Sequence, residues 1–210
     1  YSTGTEKRPA EMVSIVFMVL LCVLFRVLSR CEKCGIMILI GGREMIAIRQ
    51  LRETDAEAFV REECAQGWHS SVDKFRMRLR DQAAGKCTPL VAELDGEPAG
   101  YLSVYFSAEH GPFRNQGIPE LMDFAVLEKF RRRGVGSALM DAAEEIAFAR
   151  SRVISIGVGL HAGYGSAQRM YVRRGYIPDG SGVWFEGAPA KPYAPCVNGD
   201  DLVLYFSRER

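Results

Sequence analysis

Three arginines and two spaced glycines, Arg131-Arg132-Arg133-Gly134-Val135-Gly136, run directly into a helical pattern, and this junction constrains the chain more than any other stretch. Val135, Ala138, Leu139, Ala142, Ile146 and Ala149 recur at helical spacing. Asp141, Glu144, Glu145 and Arg150 fall on the other side, which predicts a surface helix with one buried stripe. The first turn of such a helix offers unpaired backbone N–H groups at the positive end of its dipole, where cations are unfavourable unless an anion joins them. Arg131, Arg132 and Arg133 stand at that end, and Gly134 and Gly136 let a bulky anion approach the main chain. Arginines or glycines alone would read as a solvated basic turn or as packing. Their combination in front of a clean helix points to a phosphate site.

Composition narrows what such a phosphate can belong to. A chain of 210 residues has room for one domain and an appendage. With 48% hydrophobic and 25% charged residues it falls in the soluble globular class. A net charge of +1 supplies no basic field, so a nucleic-acid partner is not expected. The six cysteines are scattered, unlike a small secreted disulfide framework, which implies reduced thiols and a cytoplasmic setting. Cys31 and Cys34 have half the spacing of a zinc knuckle, but no second pair follows and no metal is expected.

Residues 1–44 differ from the rest. The run 13–25, VSIVFMVLLCVLF, is almost wholly apolar, shorter than a spanning helix and at the upper limit of a signal-peptide core. Three readings stand: a short membrane anchor, an export signal, or translated sequence ahead of a start at Met45. If residues 13–28 are an anchor, Arg26, Arg30 and Lys33 lie behind the apolar run and would keep the following domain tethered on the cytoplasmic face. The predicted division is therefore 1–44 as an extension and 45–210 as the working domain.

From Met45 the signals are regular. Residues 45–51 alternate as a strand, Thr54 and Asp55 are placed to cap a helix carrying Ala58, Phe59 and Cys64, and a second helix is predicted over 71–84 with Val72, Phe75 and Leu79 inside. The runs 89–94 and 99–106 are strand-like and joined by Asp95-Gly96, a hairpin signal. A polar loop, 107–117, leads to a central strand at 120–127, which feeds the arginine–glycine turn. Another strand follows at 153–158, then a short helix at 164–174 ended by Gly175. The stretch 179–200 is rich in Gly and Pro without a period and reads as a long loop before a last strand at 202–206.

The order Phe124-Ala125-Val126, Arg131-x-x-Gly134-x-Gly136, helix, strand, and Ala167-Gln-Arg-Met-Tyr171-Val-Arg-Arg-Gly175-Tyr176 resembles the GCN5-related N-acetyltransferase superfamily over about residues 45–210. The resemblance implies an α/β fold: a mixed, largely antiparallel sheet of six or seven strands, splayed at its centre to admit acetyl-coenzyme A, with helices on both faces. It implies that main-chain groups of the turn Arg131, Arg132, Arg133, Gly134, Val135, Gly136 and Ser137 hold the pyrophosphate. The Phe124, Ala125 and Val126 backbone would pair with the pantetheine arm. Tyr171 matches the family's general acid. Many members carry Asn where this chain has Tyr164, so a side-chain contact to pantetheine is not carried over.

Acyl transfer from a thioester to an amine requires an uncharged amine, donors for the developing oxyanion and a proton for the departing thiolate. An alkyl amine has a pKa near about 10, so a carboxylate or an ordered water must take its proton. Glu120 and Asp123 are the candidates on the central strand, and His161 is a further one in the loop before Tyr164. Glu120 is preferred because it precedes Ala125 by the interval of the catalytic glutamate in the histone-modifying branch of the family. Asp123 would point to the other face of a regular strand. Walls for the acceptor are expected from Trp68 and His69, from His110, Phe113 and Asn115, and from Trp184, Phe185 and Tyr193.

The function implied is an acetyl-CoA-dependent N-acetyltransferase acting on a small-molecule or peptide amine, without a metal. Since family members are often dimers, a homodimer is an assembly that fits. A non-catalytic coenzyme A binding or regulatory module is the alternative. A dinucleotide fold using Gly157-x-Gly159 lacks the third glycine and the following acid of that fingerprint.

Overall fold

The computed structural model describes the backbone of residues 29–31, 36–41 and 44–210 and the side chains of residues 45–210. The apolar run at 13–25, and with it the choice among anchor, export signal and upstream sequence, lies outside the described residues, as do the Cys31 and Cys34 side chains. Among the described residues, no helix is long and apolar enough to cross a membrane.

The strands are β1 (Ser29–Cys31), β2 (Ile36–Gly41), β3 (Glu44–Gln50), β4 (Cys87–Leu94), β5 (Glu97–Tyr105), β6 (Glu120–Val126), β7 (Val153–Gly159), β8 (Ile177–Phe185), β9 (Ala188–Pro189) and β10 (Leu202–Glu209). They form one sheet in the order β1-β2-β3-β4-β5-β6-β7-β10-β8-β9. Of these, β3 to β8 and β10 make the seven-stranded sheet that the resemblance implies, while β1, β2 and the two-residue β9 extend its edges. All described pairings are antiparallel except β6 with β7. Helices α1 (Glu53–Ala65) and α2 (Val72–Ala83) cover one face, and α3 (Val135–Phe148) and α4 (Gly165–Arg173) cover the other.

Local chemistry explains most boundaries. Asp95 and Gly96 both take positive φ, 52° and 87°, the geometry that matches the twist of two hairpin strands. Ser71 caps α2 by accepting from the Lys74 N–H at 3.4 Å. In α1 the cap is arranged differently from the expectation: Asp55, in the first turn, reaches back to accept from the Arg52 N–H at 2.8 Å, and Thr54 is exposed. Asp55 is buried because Arg49 on β3 meets it with two hydrogen bonds of 2.7 Å, fixing α1 to the sheet.

The core has two layers. Phe59, Phe75 and Tyr101 form an aromatic cluster under α1 and α2, with ring centroids 5.0 to 5.6 Å apart. Leu139, Met140 and Ala143 of α3 are fully buried against the opposite face of β4 and β5.

Two expectations are corrected. The aperiodic stretch 179–200 is not one loop, because β8 runs to Phe185 and pairs with β10, leaving the two-residue turn 186–187 and the stretch 190–201 without a strand. Its period is hidden because β8 lies near the sheet edge, exposed over most of its length and interrupted by Gly180 and Gly182. Glu144 is not on the solvent side of α3: it is 7% exposed, with Arg174 donating to it at 2.8 and 2.7 Å and Arg208 at 2.6 Å from it. The pattern places it outside, but the arginines arrive from α4's end and from β10, which the helical period does not report.

Burial pushes the Glu144 carboxyl up, but the bonds from Arg174 and Arg208 win and hold it below its usual range. A depressed carboxyl adds stability above its unfolded pKa and loses it as pH falls through the folded one. Glu144→Gln should cost about 2–3 kcal/mol at neutral pH, read from urea midpoints, and the deficit should shrink as pH is lowered from about 5 toward about 2.

Candidate active site

The site begins with one extra residue in β6. Tyr101 pairs with Ala125 and Tyr105 with Glu120, so four steps along β5 match five along β6, and the register shifts between Tyr101 and Ser103. Asp123 absorbs the excess with φ 52°, a value unusual for a residue other than glycine. Because Tyr101 and Tyr105 share a face, Glu120 and Ala125 share it too. This corrects the expectation drawn from a regular strand: the bulge brings Glu120 and the Asp123 carboxylate, which is bound by Arg78 of α2, to the same face. Phe124 turns the other way, where its ring lies 6.5 Å from that of Tyr171.

Past the bulge the sheet opens. The parallel register of β6 with β7 consists of Glu120↔Ser155 and Leu121↔Ile156. Phe124, Ala125 and Val126 therefore have no partner in β7, and their edge faces a groove of about 1010 Å³.

The turn after β6 carries the anion-site geometry that the sequence predicts. A single 3-10 turn, Glu128–Phe130, leads to Arg132 at φ 63° and to Gly134, the N-cap of α3, at φ 88° with no side-chain cap. Gly134 is needed for its conformation. Gly136 is needed for space, since a Cβ there would stand 3.1 Å from Phe124 Cζ. Arg131 is braced by Glu128 at 3.1 Å, by the Val126 carbonyl at 3.3 Å and by the Trp68 ring 5.3 Å beneath it.

Of the residues assigned to the cofactor, Phe124, Ala125, Val126, Arg131, Arg132 and Gly136 line the groove. Arg133, Gly134, Val135 and Ser137 do not: the Arg133 guanidinium lies 5.5 Å from the Phe130 ring and the Val135 side chain is buried in the core. Gly134 and Val135 could contribute through the main chain of the turn. Trp68 and His69 line the groove as expected, whereas His110, Phe113, Asn115, Trp184, Phe185 and Tyr193 do not.

Tyr171 sits under Phe124, 4% exposed and outside the lining. Burial, and more weakly Tyr164, push its hydroxyl well above the usual tyrosine range, so it stays protonated. Glu120, at the closed end of the slot, is 5% exposed and also outside the lining. Its Oε2 is buried with no hydrogen-bond partner, and burial together with the Glu109 charge pushes its carboxyl up to about 7.

His161 has both ring nitrogens engaged, and Asp123 is held by Arg78 through Oδ2. His161 accepts from the Gly163 N–H at Nδ1, 3.1 Å, and meets Asp200 through Nε2 at 3.1 Å, so both ring nitrogens are engaged. Tyr164, at the family's asparagine position, donates to the same Asp200 oxygen at 2.9 Å, and the three residues together wall the groove on the α4 side.

The opposite wall was not foreseen. Glu63, Lys74 and Tyr101 line it, Glu63 being 1% exposed and bonded by the Tyr101 and Ser70 hydroxyls. Two signals were available: Glu63 continues the buried stripe of Ala56 and Phe59, and Lys74 and Arg78 stand one helical turn apart beside Phe75 and Leu79. Among the described residues no group of three or more His, Cys, Asp or Glu could hold a metal ion.

Comparison with known proteins agrees with this geometry. The acetyltransferase (GNAT) family model matches residues 48–176. An uncharacterized N-acetyltransferase of Archaeoglobus fulgidus is 35% identical over 119 residues, 51% of this chain and 78% of that protein. Among solved structures, the ribosomal-protein-alanine N-acetyltransferase from Brucella melitensis superposes with a TM-score of 0.56 at 19% identity, covering 78% of this chain and 99% of the other. The Salmonella typhimurium protein yncA, solved with its cofactor acetyl-CoA, gives a TM-score of 0.55 at 15% identity over 78% and 93% of the two chains. At these identities the solved structures speak for the fold alone, whereas the family model covers more than half of the sequence. The chain belongs to the acetyltransferase (GNAT) family.

Proposed function

We propose that this protein moves the acetyl group of acetyl-CoA directly to a primary amine of a small molecule or peptide, with Tyr171 as general acid and Glu120 as general base. The observation that carries this reading is the pairing of an unpartnered strand edge at Phe124–Val126 with an uncapped helix start at Gly134 along one groove. A strand edge offers alternating backbone donors and acceptors to an amide-bearing arm, and a glycine-started helix offers N–H groups to a diphosphate. Acetyl-CoA supplies an activated thioester carbonyl and a thiolate leaving group.

The remaining work falls to side chains of this chain. A base that operates near neutrality needs a pKa near 7, and burial, with the Glu109 charge, pushes the Glu120 carboxyl up to about 7. Asp123 is tied to Arg78, and His161 has both nitrogens engaged, which favours Glu120 over either. Tyr171 keeps its proton at any physiological pH and so suits the donor role. The acetyltransferase domain is proposed to span residues 45–210, with β2 added at the β3 edge. The non-catalytic reading draws on one fact: neither Tyr171 nor Glu120 lines the groove. Thiol release on mixing with amines separates the two.

Coenzyme A at about 100 times its Kd should stabilise the protein by about 2.7 kcal/mol, seen as a rise in Tm; no rise would remove the cofactor assignment. Tyr171→Phe should keep that rise and lower kcat by about 100-fold, and unchanged turnover would remove Tyr171 as the acid. Glu120→Gln should abolish an inflection of kcat/KM near pH 7, below which activity falls because the base is protonated. The same group has a stability signature. A carboxyl raised from 4.5 to about 7 favours folding at low pH and forfeits that as pH rises through 7, by about 3 kcal/mol. Thermal melts should therefore show Glu120→Gln gaining on the wild type at pH about 8 and not at pH about 5.

A further inference from the structure

Lys74 is the side chain on the groove wall whose chemistry the transfer reaction does not use. Its ammonium is held firmly: it donates to the Tyr101 hydroxyl oxygen at 2.8 Å and to Glu63 Oε2 at 3.3 Å, and stands 4.8 and 4.9 Å from the Phe75 and Tyr101 ring centroids. An ammonium has three donors, and the third has no partner among the described residues. The side chain is 30% exposed and lines the groove together with Asp123, Phe124 and Ala125.

Ordinary charge pairing does not account for all of this. Glu63 already receives a hydroxyl on each oxygen, from Tyr101 and from Ser70, so its hydrogen bonding is met without Lys74. It needs Lys74 only as a counter-charge. Glu63, Tyr101 and Lys74 together behave as a fixed stand that holds one N–H toward open space. Beside it on the same wall, Arg78 takes Asp123 Oδ2, and Asp123 Oδ1 has no partner among the described residues. The wall thus presents one cationic donor and one anionic acceptor, held by buried side chains.

We infer that Lys74 is a specificity-determining residue, and that the acceptor is an amine carrying an acyl oxygen on the neighbouring carbon, as in an α-amino acid or the first residue of a peptide. This rests on the acetyltransferase reading above. The arriving ammonium is drawn to Asp123, and the acyl oxygen accepts from Lys74. A polyamine satisfies the first contact and places a second cation against Lys74, so the same wall rejects it.

The test measures thiol release with four acceptors: alaninamide, alanine, isopropylamine and spermidine. Rates are taken per unprotonated amine, and the change of each acceptor ratio between variant and wild type removes what remains of the difference in amine basicity. For the wild type, alaninamide or alanine should exceed isopropylamine, and spermidine should be poorest. A carbonyl source is indicated if alaninamide leads and a carboxylate source if alanine leads. In Lys74→Met the ratio of kcat/KM for the preferred acceptor to that for isopropylamine should fall by about 10- to 100-fold, carried by KM, and Lys74→Arg should keep most of it. The coenzyme A dependent rise in Tm reports whether each variant is folded; if Lys74→Met lacks it, Lys74→Gln takes its place with the same expectation. An unchanged ratio, or an equal loss on every acceptor, overturns the role of Lys74. Absence of thiol release with any amine in the wild type overturns the transfer reading and this inference with it, a result distinct from the other two.

Discussion

One additional residue in β6 governs the arrangement of the site. A strand cannot change which face a side chain occupies without breaking its period, and the bulge at Asp123 is that break. Before it, Glu120 is paired on both sides, to Tyr105 and to Ser155. After it, the strand stays with β5 and leaves β7, so a row of backbone groups in the middle of a sheet faces the groove without a strand partner. The turn and helix that follow are aimed by the same departure, since only four residues separate the 3-10 turn that ends the strand's course from the start of α3.

Charges in the interior are placed by the same logic of satisfaction. Asp55, Glu63 and Glu144 are each buried and each has a cation within reach: Arg49, Lys74, and Arg174 with Arg208. Arg49–Asp55 fixes α1 to β3, Lys74–Glu63 joins α2 to α1, and Arg174 and Arg208 tie α3 to the end of α4 and to β10. Glu120 breaks the rule, with a buried oxygen that nothing bonds and a carboxyl that burial and the Glu109 charge push up to about 7. A fold that neutralises its other buried acids and leaves this one exposed to the cost of burial has placed a group suited to exchanging a proton.

The sequence was most legible where the signal is local. The Asp95-Gly96 hairpin, the helix after Gly134 and the end of α4 at Gly175 follow from turn and cap chemistry acting over a few residues. It was least legible where two distant segments meet. β8 reads as a loop because an edge strand with two exposed faces shows no alternation, and Glu144 reads as exposed because its arginines come from elsewhere in the chain. The groove wall of Glu63, Lys74 and Tyr101 is assembled from three elements, so no single period reveals it.

By itself the sequence determined the kinds of element, their order and the glycine-started turn before α3, because periodicity, glycine conformation and helix-end polarity are properties of short stretches. It also carried the family, since the strand, turn and tyrosine helix keep their intervals. Only the tertiary structure decided which acids share a face, which carboxylates are paired and which side chains line the groove. Those depend on an unpaired residue in one strand and on side chains brought together from opposite ends of the domain, and a linear pattern has no term for either.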